Sequence, residues 1–305
     1  MDWLERAARL RQWSRDGARA PHKPLLLLYA LARFREDAGA GLRYGAVEDD
    51  LRRLLAEFGP PRPTTPAYPF HHLVSDGLWE VRTDLGPGSP GTGVRALRES
   101  GATGRLVPEL RGALEREPRL LGDLVRLLLD RHFPPSLHEE LCDAVGLLPE
   151  PVGAEADERR YRYGYGRVQR RDPRIRDLVL SAYEHRCAFC GYDGRLEGRS
   201  VGLEAAHVRW WAFEGPDTLD NALSLCALHH KLFDKGVLGM VGAGEDEAAE
   251  GGHRVLVSAA FTGAGEAARR QVLDLAGRAL TGPRPGAPAV AAGHRDWHRD
   301  KVFRG

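Results

Sequence analysis

"CAFCG" at residues 187–191, "EAAH" at 204–207 and "CALHHKLFD" at 226–234 decide how the second half of this chain is read. Cys187 and Cys190 have the spacing of two thiolates on a knuckle, and Cys226 and His229 repeat it further along. Two such pairs can close a tetrahedral Cys3His zinc site of the structural kind. Zinc binding there contributes on the order of 10 kcal/mol to folding, enough to hold a small unit with few apolar residues. His230 and Asp234 stand four apart on an expected helix, so both side chains point the same way. That pair suits two ligands of one hard divalent cation, Mg2+ or Mn2+, and Glu204 offers a third ligand. His207 and Asn221 lie between the knuckles, and the zinc site does not account for them.

Outward from this segment, 305 residues with 42% hydrophobic and 29% charged content allow two ordinary globular domains. Apolar runs such as "LLLLYALA" at 25–32 are too short to span a bilayer, and the N-terminus lacks the apolar run of a signal peptide. The expectation is a cytoplasmic protein. Three of the four cysteines cluster beside His229 and His230, which reads as metal ligation in a reducing compartment, with Cys142 apart. A net charge of +1 excludes an indiscriminate nucleic-acid coat but leaves room for local patches that contact DNA.

"PEPVGAEADERR" at 149–160 reads as an exposed linker. The expected division is a domain over 1–150, a linker over 151–165 and a second domain over 166–305. In the first half, helices are expected over 2–15, 23–37 and 45–58. A proline-rich extended loop should fill 59–70, a strand 77–82, and helices 108–131 and 135–146. In the second half an arginine-rich helix should run to 186, with "VRWWAF" at 208–213 β-like. Trp210 and Trp211 read as packing residues. A strand is expected over 254–259, a helix over 265–280 and a loosely ordered tail beyond.

The order His207, Asn221, His230, threaded between zinc knuckles, resembles the HNH (ββα-metal) endonucleases. The resemblance implies roles. His207 would be the general base that takes a proton from the attacking water, and Asn221 would orient it or brace the loop. His230 would bind the catalytic metal, which offsets charge on the scissile phosphate, and Asp234 matches a second-ligand position of some relatives. Many relatives carry His or Asp just before the base; Ala206 stands there in this chain, so that ligand must come from Glu204 or water.

"APHKPLLLLYAL" at 20–31, "TTPAYPFHHLVSDGLWEV" at 64–81 and "LRESGATGRL" at 97–106 together resemble the sulfur-binding domain of phosphorothioate-dependent restriction endonucleases of the McrA kind. Sulfur in place of a phosphate oxygen is larger and more weakly hydrated, so its reader should offer apolar surface ringed by donors. Tyr68, Pro69 and Phe70 are candidates for that surface. His22 and Lys23 offer a ring edge and a cation at a helix start. Arg98, Ser100, Gly101 and Ala102 form a glycine-containing loop able to approach a phosphate or base edge.

The expected fold class is α+β: a mainly helical DNA-reader domain, then a ββα-metal domain with a structural zinc knuckle. The expected function is a modification-dependent restriction endonuclease acting on double-stranded, phosphorothioated DNA, with structural Zn2+ and catalytic Mg2+ or Mn2+. One HNH site cuts one strand, so double-strand cleavage implies a homodimer or two enzymes meeting on DNA. The alternatives are an HNH nuclease that reads another modification or a plain sequence, and a zinc-stabilised DNA-binding protein without catalysis.

Overall fold

The computed structural model describes residues 2–10, 14–15, 18–19, 21–39, 41–61, 64–147, 174–242 and 252–305. The expected linker 151–165 and the start of the arginine-rich helix lie outside the described residues. The chain divides into two compact units, Met1–Val168 and Gln169–Gly305, each with its own apolar core.

The first unit is built around α2 (His22–Glu36), in which every residue from His22 to Ala32 is buried. A helix apolar on all sides needs cover on all sides, and α3 (Tyr44–Phe58), α4 (Ala67–His72), α7 (Arg119–His132) and α8 (His138–Val145) pack on it. Burying each of Leu25, Leu26, Leu27 and Leu28 contributes roughly 2 kcal/mol relative to exposure. Four short antiparallel strands in the order β3-β6-β4-β5 form the sheet: β3 (Leu42–Arg43), β4 (Trp79–Thr83), β5 (Gly86–Pro87) and β6 (Thr103–Leu106).

Several sequence expectations shift, two of them at prolines. Helix α1 covers only Trp3–Ala8, and Ser14–Arg15 (β1) pairs with Ala18–Arg19 (β2) where a longer helix was expected. The segment 59–70 is not extended throughout, because α4 starts after Pro66. The first-turn N–H groups of a helix have no intrahelical partner, so Pro69 costs that helix nothing. The helix expected over 108–131 is two, α6 (Pro108–Arg116) and α7, because Pro118 drives Glu117 out of helical geometry (φ −128°, ψ 82°). Residues 97–106 are no open loop. They are the end of α5 (Val94–Glu99), a left-handed turn at Gly101 (φ +63°), and β6.

The second unit begins with α9 (Ile175–Ala182), which packs on a hairpin of β9 (Leu203–His207) and β10 (Ala222–Cys226). A small hairpin, β7 (Arg195–Leu196) and β8 (Arg199–Ser200), precedes it. Helix α10 (Ala227–Asp234) follows β10 without a loop, completing a ββα unit. Strand β11 (Leu238–Gly242) then pairs with β12 (His253–Val257). The helix expected over 265–280 stops at Gln271 (α11, Glu266–Gln271), and the chain returns alongside β12, where Leu280 N donates to His253 O. The tail expected to be loose carries α12 (Ala292–Lys301), which packs on β11 with His298 fully buried against Phe233. Among the described residues no helix is long and apolar enough to cross a membrane.

Candidate active site

The two knuckles meet. The ligand atoms of Cys187, Cys190, Cys226 and His229 all lie within 4.8 Å of one another. Cys187 N–H donates to Tyr192 O and Gly191 N–H to Cys187 O, folding the first knuckle; the second is the β10–α10 junction. His229 Nδ1 is 3.1 Å from Cys226 Sγ and 3.5 Å from Cys187 Sγ. Its Nε2–H donates to Gln271 O at 2.8 Å, which fixes the ring with Nδ1 toward the sulfurs. The crowded thiols drive one another apart: Cys190 and Cys226 hold Cys187 far below the thiol range, and Cys187 drives Cys190 far above it. Burial opposes charge on His229, yet its sulfur neighbours outweigh this and lift its pKa to about 10. Thiolates that cannot all ionise unaided, around an oriented imidazole, fit zinc.

Beside this Cys3His group, α10 turns His230 toward β9. His230 Nδ1 meets Glu204 Oε2 at 2.5 Å, and its Nε2 meets Asp234 Oδ2 at 3.1 Å. Burial opposes protonation of His230, but Asp234 and then Glu204 overcome it and raise the pKa to about 10; His230 in turn holds Glu204 below the usual carboxylate range. The two carboxylates therefore engage opposite ring nitrogens and do not converge on one point with His230. Asp234 is 1% exposed and also accepts Trp210 Nε1–H at 2.9 Å, whereas Glu204 is 49% exposed. The donor types suit a divalent cation, and the open side is that of Glu204 and His230 Nδ1.

Strand β9 ends at His207, which is not followed by a further strand. Val208 N–H donates to Asn221 O, and 211–213 form a 3-10 turn. Asn221 is fully buried and ties the excursion together: its Oδ1 accepts from Arg209 N at 2.8 Å, and its Nδ2 donates to Arg209 O and Pro216 O. Gly215 is required inside this loop, because a Cβ there would sit 1.8 Å from Arg209 O. The tied loop delivers Asp217, whose Oδ1 lies 2.6 Å from His207 Nε2. Sequence reasoning passed over Asp217; in "EGPDTLDN" it is one acidic residue of several, and only the folded loop distinguishes it. Trp210, read as packing, both packs on Trp297 and Phe213 and binds Asp234, linking the His207 strand end to the His230 group.

The reader candidates fall into two groups. At the start of α2, the rings of His22 and Tyr68 lie edge to face at 6.3 Å, and Tyr68 lies 4.3 Å from His72. Burial lowers the His22 pKa to about 4. Lys23 is buried and pairs with Asp76 at 2.6 Å. Pro69 and Phe70 are buried, and the Phe70 ring packs edge-on against Tyr44 and Trp79, so they stand behind Tyr68 in the core. In the second group, Arg98 binds buried Glu48 through two hydrogen bonds, Ala102 is buried, and Ser100 and Gly101 form the turn between them.

Residues 1–150 match the family model described as "ScoMcrA-like, DNA sulfur-binding domain", and residues 187–241 match the model described as "HNH endonuclease". No curated protein matches. Among solved structures, the sulfur binding domain of ScoMcrA complexed with phosphorothioated DNA is 22% identical, with a TM-score of 0.41 over 48% of this chain and 96% of that one. The corresponding domain of SprMcrA is 26% identical, with a TM-score of 0.41 over 48% and 93%. The type IV phosphorothioation-dependent restriction endonuclease ScoMcrA is 14% identical, with a TM-score of 0.38 over 76% and 94%. The chain is a DNA endonuclease with an HNH domain in its second half. Its first half is a ScoMcrA-like DNA sulfur-binding domain, and this pairing is that of a McrA-type restriction enzyme.

Proposed function

We propose that this nuclease recognises phosphorothioated double-stranded DNA through residues 1–150, joined by a linker over 151–165 to a cutting domain over 166–305. His207 acts as general base on the attacking water. The observation that carries the reading is the ββα unit itself: it sets His207–Asp217 and Glu204–His230–Asp234 beside the Cys3His group, in a chain that also carries a sulfur-binding domain.

Zinc held by Cys187, Cys190, Cys226 and His229 shapes the unit. HNH domains are metal-dependent, and Glu204 with His230 Nδ1 would hold Mg2+ or Mn2+. That ion, when bound, supplies positive charge against the scissile phosphate and the leaving oxygen. Asp234 keeps the imidazole of His230 in place from Nε2, the role outer carboxylates play behind metal-bound histidines. Asn221 braces the loop. In the reader, Tyr68 with His22 supplies the sulfur-facing surface over Pro69 and Phe70. Lys23, Arg98, Ser100, Gly101 and Ala102 shape the phosphate-facing edges. Cutting both strands takes two active sites, so two copies act together on DNA.

The test uses two identical duplexes, one with a stereodefined phosphorothioate. The wild type should bind the sulfur duplex selectively without added metal and cut it after Mn2+ or Mg2+ is supplied. His207→Ala should bind equally and lose cutting by roughly 10²–10⁴-fold, the usual contribution of a positioned base. Equal cutting of both duplexes would remove the sulfur reader and keep the nuclease.

A further inference from the structure

Asp217 belongs to no zinc or divalent-metal group, yet its carboxylate lies 2.6 Å from the ring of His207. The two side chains are 16% and 8% exposed, so water does not screen the pair as it would on the surface. The contact results from considerable local construction. Asn221 pins Arg209 and Pro216 from inside the loop, and Gly215 permits the close crossing over Arg209. Asp217 follows directly from this crossing. A solvated acidic residue would need none of these arrangements.

We infer that Asp217 is the positioning residue for His207, holding it as the Nε2–H tautomer with Nδ1 as the proton acceptor. This rests on the reading of His207 as general base. A neutral imidazole has one N–H, and an ionised carboxylate only accepts, so the nitrogen facing Asp217 carries the proton. Nδ1 then bears the lone pair. In the reaction, a proton passes from water to Nδ1, the water oxygen bonds to phosphorus, and the bond from phosphorus to the leaving oxygen breaks. That oxygen takes a proton from solvent. The imidazolium formed has both nitrogens protonated, and the Asp217 charge stabilises it while remaining ionised, as the carboxylate of a hydrolase triad does.

The experiment labels the histidines of the full-length protein with 15N and assigns His207 as the resonances missing from His207→Ala. In the wild type, Nε2 should appear protonated and Nδ1 unprotonated. In Asp217→Ala the two shifts should move toward each other, as the tautomers mix. On the sulfur duplex, kcat should fall roughly 10- to 100-fold, within what a positioned base contributes, while KM and binding stay at wild-type values. Asp217→Asn, which keeps the shape, serves if the alanine variant misfolds; its kcat should fall too, because the charge opposite the imidazolium is gone. A wild-type His207 protonated on Nδ1 would overturn the inference by itself. So would Asp217 variants that cut at the wild-type rate while His207→Ala is inactive. A His207→Ala protein that still cuts would instead remove the general-base reading on which the inference stands.

Discussion

Asn221 illustrates how much one amide can hold. The residues allowed it two roles, orienting His207 or bracing the loop, and its hydrogen bonds are those of a brace: both amide ends engage the backbone of Arg209 and Pro216, and none reaches His207. Replacing it with alanine leaves three part-buried backbone groups without these partners, and a fully buried unsatisfied group costs about 1–3 kcal/mol, an upper bound for each. Asn221→Ala should therefore lower the melting temperature of the HNH unit as well as the cutting rate, because Asp217 and Trp210 sit on the loosened loop. Asn221→Asp sets a carboxylate oxygen against the Arg209 and Pro216 carbonyls in a fully buried site, so it should destabilise at least as much as alanine. Thermal melts run beside cleavage assays check this. Lost cutting without lost stability would mean that the side chain acts on the chemistry directly.

Helix α12 was unreadable in the sequence. Its stretch "AGHRDWHRDK" lacks an apolar stripe, so nothing local calls for order. It is ordered through tertiary contacts: the His298 ring stacks on Phe233 at 3.6 Å, and Trp297 packs on Trp210 and Phe213. Aromatic pairs of this kind contribute about 0.5–1.5 kcal/mol each beyond the area they bury. Trp210 in turn donates to Asp234, which holds His230. Trp297→Ala should accordingly slow cutting several-fold, leave sulfur-duplex binding unchanged and retain bound zinc, while Trp297→Phe should cut nearly normally. Unchanged cutting by Trp297→Ala would separate α12 from the site. The contrast with α10 shows where sequence reading works. Two metal-spaced pairs and an i, i+4 histidine–aspartate are local patterns, and they are where the structure brings Cys187, Cys190, Cys226 and His229 together and sets His230 against Asp234. Contacts made across the fold, Asp217 on His207 and Arg98 on Glu48, have no such spacing. The burial of Phe70 has no local signal either, since it comes from packing on Tyr44 and Trp79 across the fold.

Each unit of the whole molecule buries a histidine in neutral form, and the two cores share no residue. Burial lowers both His22, in the reader, and His298, in the HNH unit, to a pKa of about 4. The unfolded chain titrates near 6.5, so as the pH falls it takes up protons that the folded state refuses. A depressed histidine pKa thus contributes stability that is complete above about pH 6.5 and is lost progressively toward pH 4. Between pH 7 and pH 5 each unit should lose about 2 kcal/mol from this source. Urea unfolding of the full chain at the two pH values, followed by amide hydrogen exchange read separately for residues of each unit, measures the two losses. His22→Leu should reduce the pH dependence of the reader alone, and His298→Phe that of the HNH unit alone, because each removes one buried imidazole. If His22→Leu reduced both, the two units would be unfolding as one, and their separate cores would not govern stability.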